Sequence, residues 1–168
     1  MLTRLRLRNP ESRVRLAALV LAVTALTARP GAFEFQDAST VGVDVAGAWQ
    51  ASTYILKDGT EHLVTGQIFF TGSNWTVLFF VLDDFGLARR GSGEGGTFTL
   101  TGDQLVLTHR YHLSAGEAMP GLAASELRMV ARGPDTNAPQ EPCQVIRDDD
   151  RLRLNFPSGN AMTFIRAM

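Results

Sequence analysis

The sequence predicts an all-β protein, a small antiparallel up-and-down barrel of about eight or nine strands. Beyond residue 32 no useful window shows the periodicity of an amphipathic helix, whereas short runs of β-favouring residues recur. Turn signals such as Asp58-Gly59 and Gly102-Asp103 separate these runs, because both pairs tolerate the positive φ of tight hairpins. An open sandwich is the alternative architecture, and the barrel is preferred because closure removes exposed sheet edges.

The first 32 residues have the composition of a secretory signal peptide. Basic residues come first, the apolar run 16–28 follows, and Pro30-Gly31 ends it. A membrane-spanning helix needs about 20 apolar residues, so we expect a cleaved leader, with an uncleaved anchor as the alternative. The predicted organisation is a signal peptide over 1–32, an extension over 33–44 and a barrel domain over 45–168. We therefore expect an exported protein, periplasmic or extracellular, without stable membrane insertion.

Removal of the leader would make the protein acidic. The remaining chain carries 10 basic and 16 acidic residues, a net charge of −6. An acidic surface repels phosphate backbones, so no nucleic-acid partner is expected. The single cysteine, Cys143, forbids an intramolecular disulfide. A small buried core residue is the preferred interpretation of Cys143, and a reactive or dimer-forming thiol is the alternative.

The candidate strands are short apolar or alternating runs bounded by turns. In order they cover 49–56, 63–71, 75–82, 95–101, 104–113, 125–132, 143–147, 151–156 and 161–166. The intervening segments 83–94, 114–124 and 133–142 are expected to be loops, the first two as possible lids over the barrel mouth. The Gly-rich stretch 91–96 is interpreted as a bend at a barrel corner.

Alternation assigns faces to several strands. Leu152, Leu154 and Phe156 share one face, opposite Arg151 and Arg153, which gives this strand a dry side and a wet side. The run 77–82 is apolar on both faces, as is 68–70, so we expect the outer wall there to be covered by 33–45 or by a second subunit. A homodimer is accordingly a possible assembly.

The fifth candidate strand carries the most notable polar residues. His109 and Tyr111 share a face with Leu107, so both are expected to point into the barrel, while His112 points out. An interior His and Tyr could orient a ligand or act as an acid–base pair, and mutual hydrogen bonding in the core is the alternative. Glu126 and Arg128 share one face of their strand. If that face is internal, Arg128 needs an anionic partner, either Glu126 or a ligand carboxylate, and an exposed cross-strand ion pair is the alternative.

No metal or cofactor is expected. His62, His109 and His112 include no pair two residues apart on one strand, and the cysteine has no partner. Haem held by His109 stays open as a minor alternative.

A Gly-x-Trp motif, Gly47-Ala48-Trp49, opens the first strand, and Arg166 lies near the end of the last. With Asp58-Gly59, Gly66, the segment 95–98 and Arg128, these residues resemble the lipocalin-like domains of bacterial exported proteins. The resemblance extends over about residues 45–166. It implies barrel closure by Gly47, Trp49 and Arg166, with the guanidinium stacked on the indole. It also favours an internal Arg128.

The preferred function is binding of a small hydrophobic or amphipathic molecule inside the barrel. The residues expected to contact it are Phe70, Phe79, Leu107, His109, Tyr111, Arg128 and Phe156. The alternative is an isomerase, cyclase or hydrolase acting through His109 and Tyr111, since barrels host both activities. A third possibility is a structural module with a filled interior.

Overall fold

The computed structural model describes residues 43–133 and 136–168. These residues form nine strands and no helix, so the predicted all-β class is confirmed. The strands are β1 (Gly47–Ile55), β2 (Glu61–Thr71), β3 (Asn74–Leu82), β4 (Ala88–Thr101), β5 (Gln104–Gly116), β6 (Ser125–Ala131), β7 (Gln140–Asp148), β8 (Arg151–Asn155) and β9 (Ala161–Arg166). The predicted signal peptide, 1–32, and most of the predicted extension, 33–44, lie outside the described residues. In the described ranges no helix is long and apolar enough to cross a membrane.

Eight of these strands close into an antiparallel barrel. The order around the wall is β4, β3, β2, β1, β9, β8, β7 and β5, and pairing of β4 with β5 closes it. Neighbours in this wall are also neighbours in sequence, except where the first strand, β1, pairs with the last, β9, and where β7 pairs with β5. The predicted up-and-down barrel is thus confirmed, and β6 is an additional strand on the edge of β5.

The strand β5 is shared between two neighbours. Its first half, Gln104 to Thr108, pairs with β7, and its second half, from Tyr111 to Gly116, pairs with β6. A β-bulge separates the halves, because His109 faces Gly96 while Tyr111 faces Gly95, which leaves Arg110 as the extra residue.

This bulge reverses the faces that alternation predicted for the end of β5. Tyr111 is 58% exposed on the outer wall, so its predicted interior position is wrong. His112, predicted to point out, instead lines the inner side of the wall. Because Arg110 is an extra residue, each side chain of β5 after it lies on the face opposite to the one that simple alternation predicts. Gly96 permits the bulge, since a Cβ there would collide with the carbonyl oxygen of Thr108.

The segment 83–94 is mostly strand, so the loop predicted there and the corner bend predicted over 91–96 are both wrong. Strand β4 begins at Ala88 and continues through the Gly-rich stretch. Gly91, Gly93 and Gly95 alternate onto the outer wall, where added Cβ atoms would meet side chains of β3. The residues between them therefore point into the barrel.

The core fills the end of the barrel at which β1 begins. Trp49 is fully buried and its indole Nε1 donates a hydrogen bond to the carbonyl oxygen of Val45 at 2.8 Å. The guanidinium carbon of Arg166 lies 4.7 Å from the centre of the Trp49 ring, and that of Arg147 lies 5.6 Å from it. Arg166 also donates to the carbonyl oxygen of Ala46 at 2.8 Å. This end of the barrel is closed by the contact predicted from the sequence.

The side chains of β8 alternate between the two faces of the wall as predicted. Leu152 and Leu154 are buried, whereas Arg151 and Arg153 are exposed. Cys143 is 1% exposed in the same core, as its preferred interpretation predicted.

The outer-wall residues Phe69, Leu78 and Phe80 are 42%, 50% and 37% exposed; within the described ranges no segment covers them.

Candidate functional site

A cavity of about 150 Å³ lies inside the barrel. We call it the inner cavity. Its walls are mainly apolar, and its polar groups come from Tyr54, Glu94, His109, Glu141 and Ser158. The apolar lining residues include Ile68, Trp75, Val77, Phe79, Leu107, Leu154, Phe156, Met162 and Phe164. The inner cavity thus combines an apolar interior with a small cluster of charges.

A second space of about 430 Å³, the outer chamber, adjoins the inner cavity. The two share Tyr54, Phe79 and Glu94 as lining residues. Charged and hydroxyl side chains are more numerous in the outer chamber, whose other lining residues include Arg90, Ser92, His112, Ser114, Glu126 and Arg128. A molecule in the inner cavity could therefore extend into polar surroundings.

Three side chains from three strands form the charged cluster of the inner cavity. His109 Nδ1 lies 2.7 Å from Glu94 Oε2, and His109 Nε2 lies 3.3 Å from Glu141 Oε2. Glu94 Oε1 also accepts a hydrogen bond from Ser92 Oγ at 3.1 Å and lies 3.5 Å from His112 Nδ1. Both nitrogens of the His109 ring are engaged by carboxylates.

The cluster lies beside the point on β5 at which pairing with β7 ends and pairing with β6 begins. His109 is the last residue of β5 before the bulge, and Glu141 is the second residue of β7. Glu94 reaches His109 from β4, since the alternating glycines turn it inward. The Trp75 ring meets the His109 ring edge to face, with centroids 5.1 Å apart. The imidazole is therefore held by two ionic contacts and one aromatic contact.

These contacts set the ionisation of the cluster. Hydrogen bonds to Glu141 and Glu94 raise the pKa of His109 to about 9, against the opposing effect of burial. Burial pushes the pKa of Glu94 up, but its hydrogen bond and charge interaction with His109 outweigh burial and lower that pKa overall. At neutral pH, His109 is consequently an imidazolium and Glu94 a carboxylate.

Tyr54 supplies a hydroxyl at the junction of the two spaces. Asn160 Nδ2 donates to Tyr54 Oη at 2.7 Å. Burial raises the pKa of Tyr54, the Asn160 hydrogen bond opposes this, and the charge of Glu141 adds to the rise. The hydroxyl thus stays protonated at neutral pH and can donate its own proton to a bound acceptor.

The chain matches no family model, no curated protein and no solved structure. Among the described residues no group of three or more His, Cys, Asp or Glu side chains is arranged to hold a metal ion.

The loop 117–124 lies beside the outer chamber and is tied down by hydrogen bonds. Arg90 donates to the carbonyl oxygens of Glu117 and Ala123, both at 2.6 Å. His62, which is 6% exposed, contacts the carbonyl oxygen of Pro120 through Nε2 at 2.9 Å. These anchors fix the segment that the sequence suggested as a lid.

The structure brings four of the predicted contact residues together. Phe79, Leu107, His109 and Phe156 all line the inner cavity. Phe70 is 1% exposed in the core and does not line it.

Arg128 is an exposed residue of β6 that lines the outer chamber, so it does not reach the inner cavity where the resemblance suggested an internal arginine. Tyr111 is excluded from both spaces, since it lies on the outer wall.

Sequence reasoning missed both glutamates of the cluster. Glu94 lies in the Gly-rich stretch that was interpreted as a bend. Because side chains alternate along a strand, Glu94 shares the inner face with Phe98, four residues later. Glu141 lies two residues before Cys143, and the same alternation places it inside. The segments around both residues contain Gly or Pro, which predicted loops in place of strands.

Proposed function

We propose that this chain is an exported binding protein that holds a small amphipathic molecule inside its barrel. The observation that carries the proposal is the apolar inner cavity of about 150 Å³ with charged groups grouped in its wall. An apolar cavity of about this size accommodates benzene in a protein core. The apolar part of the ligand would occupy the inner cavity, and its remainder would extend into the outer chamber. The lipocalin-like resemblance and the predicted leader support this proposal.

The size of the inner cavity limits what it contributes to affinity. Burial of a phenyl-sized group contributes about 2 kcal/mol. A millimolar dissociation constant already corresponds to about 4 kcal/mol, so the apolar part alone would bind weakly. Tighter binding requires polar contacts from Tyr54 or the charged cluster, and these would also fix the orientation of the ligand.

The state of His109 favours binding over catalysis. A general base works best when its pKa lies near the operating pH, whereas the pKa of His109 is raised to about 9 by its two carboxylate partners. The catalytic alternative also needs His109 and Tyr111 in one site, but Tyr111 lies on the outer wall. A hydrolase or isomerase acting through this pair is therefore disfavoured.

Titration with toluene, followed by two-dimensional NMR, tests the proposal. We expect shifts confined to residues lining the inner cavity. Val77→Phe should abolish them, because Val77 lines the cavity and a phenyl ring would fill it. Val106→Phe is the matched control, since Val106 alternates with the buried Leu105 and Leu107 and does not line the cavity.

Native mass spectrometry with solvent extraction would identify a resident molecule. A barrel from which nothing is extracted, and in which toluene shifts no cavity resonance, would contradict the proposal and favour a filled structural module.

A further inference from the structure

The charged cluster of the inner cavity carries an excess of negative charge. Glu94 and Glu141 are two carboxylates, and among the described residues that line the inner cavity their one cationic partner is the His109 imidazolium. Arg90 and Arg128 line the outer chamber, and Arg132, which donates to the backbone carbonyl oxygen of His109 at 3.2 Å, does not line the inner cavity. The inner cavity is therefore suited to a cation and unsuited to a second anion.

The two carboxylates differ in how much of their hydrogen-bond acceptor capacity is unused. Glu94 is engaged by His109 at 2.7 Å, by Ser92 at 3.1 Å and by His112 at 3.5 Å. The Glu141 carboxylate has one contact among the described residues, the 3.3 Å approach to His109, and its side chain is 32% exposed. Each carboxylate oxygen can accept two hydrogen bonds, so Glu141 retains most of its acceptor capacity.

The negative charge of Glu141 affects two neighbouring titratable groups, Cys143 and Tyr54. Burial is the main reason that the pKa values of Cys143 and Tyr54 are raised, and the charge of Glu141 raises both further. The same negative charge would stabilise an ammonium group beside Glu141.

The walls around Glu141 are also suited to a cation. Trp75, Phe79, Phe156 and Tyr54 all line the inner cavity. Aromatic faces attract ammonium groups, most strongly where water is excluded. The same rings contact the apolar part of a ligand, so a single small molecule could use both properties.

We propose that the inner cavity takes a primary or secondary amine whose apolar group is about the size of a benzene ring, with the ammonium donating to Glu141. This inference rests on the proposed binding function and specifies the ligand class. The free amine of a larger molecule would bind in the same way, with its other end in the outer chamber.

Three probes that share one ring test the inference: benzylamine, benzyl alcohol and benzoate, each titrated into the full chain at pH 7 and followed by NMR. We expect benzylamine to bind about tenfold more tightly than benzyl alcohol, as a charge-assisted hydrogen bond would give. Benzoate should bind most weakly. This comparison uses the unaltered protein and does not depend on the folding of any variant.

Glu141→Gln then assigns the preference to one residue. The variant should bind benzyl alcohol as before and lose the tenfold preference for benzylamine. Glu61→Gln is the matched control, because it removes the same charge from an exposed residue that does not line the inner cavity.

The outcomes separate the two proposals. If benzyl alcohol and toluene bind but benzylamine binds no better, or if Glu141→Gln keeps the preference, the amine inference is overturned and the binding function stands. If none of the probes shifts a cavity resonance, the binding function fails and the amine inference fails with it.

Discussion

His109 Nδ1 lies 2.7 Å from Glu94 Oε2, across the neighbouring strands β5 and β4. The pair exists because alternation turns both side chains inward: His109 follows the buried Leu105 and Leu107 on β5, and Glu94 lies between the outward-facing glycines of β4. It fixes the charge of the inner cavity, and its energetic contribution depends on pH.

The stabilisation by His109 should decline above neutral pH. Its pKa rises from 6.5 in the unfolded chain to about 9 in the fold. The contribution is therefore complete below about pH 6.5 and is lost as the pH rises through about 9. The stability difference between wild type and His109→Gln should shrink between these limits by on the order of 2 kcal/mol. Urea unfolding at pH 6, 7, 8 and 9 measures it, and a difference that does not vary with pH would refute the prediction.

The bulge should depend on the glycine opposite it. In Gly96→Ala the new Cβ would collide with the backbone of Thr108. Because backbone must move, we expect a loss of about 2 kcal/mol or more of unfolding free energy. Gly93→Ala is the control, since the nearest atom to its added Cβ is a Leu78 side-chain carbon at 3.6 Å. Equal stabilities of the two variants in urea would show that the bulge tolerates a side chain at residue 96.

The closed end should weaken without its arginine. Arg166→Ala removes the guanidinium over Trp49 and the hydrogen bond to the carbonyl oxygen of Ala46. We expect a loss of about 1 to 2 kcal/mol. Arg151→Ala removes an exposed arginine and should change stability by less than about 0.5 kcal/mol. Thermal unfolding compares the two, and Trp fluorescence should change only in the first variant.

Cys143 should be unreactive in the folded protein. It is 1% exposed, and burial, with the charge of Glu141, raises its pKa to about 12. Since the thiolate is the reactive species, a disulfide reagent should label it only after unfolding. Labelling of the folded chain at pH 8 within minutes would show that the core around Cys143 opens readily.

Much of the barrel could be predicted from local signals. The two-residue alternation of Leu152 and Leu154 with Arg151 and Arg153 and the turn signal at Asp58-Gly59 depend only on nearby residues. The contact of Trp49 with Arg166 was predicted by the lipocalin-like resemblance and not by such a local signal.

The charged cluster could not be predicted in the same way. The faces of Tyr111 and His112 depend on a bulge, and the bulge depends on Gly96, which belongs to another strand. Glu94 and Glu141 lie in segments whose Gly and Pro content predicts loops, although the pairing of β4 and β7 with their neighbours makes them strands. Long-range pairing, which no local pattern records, decides these positions.

The isolation of Cys143 has a practical consequence. Because the only thiol of the chain is buried, a cysteine introduced at Glu126, in the wall of the outer chamber, would be the one site open to a thiol-reactive dye. A solvent-sensitive dye at that position would report occupancy of the chamber by fluorescence. The natural protein could in this way be converted into a reagentless sensor for whatever its barrel holds.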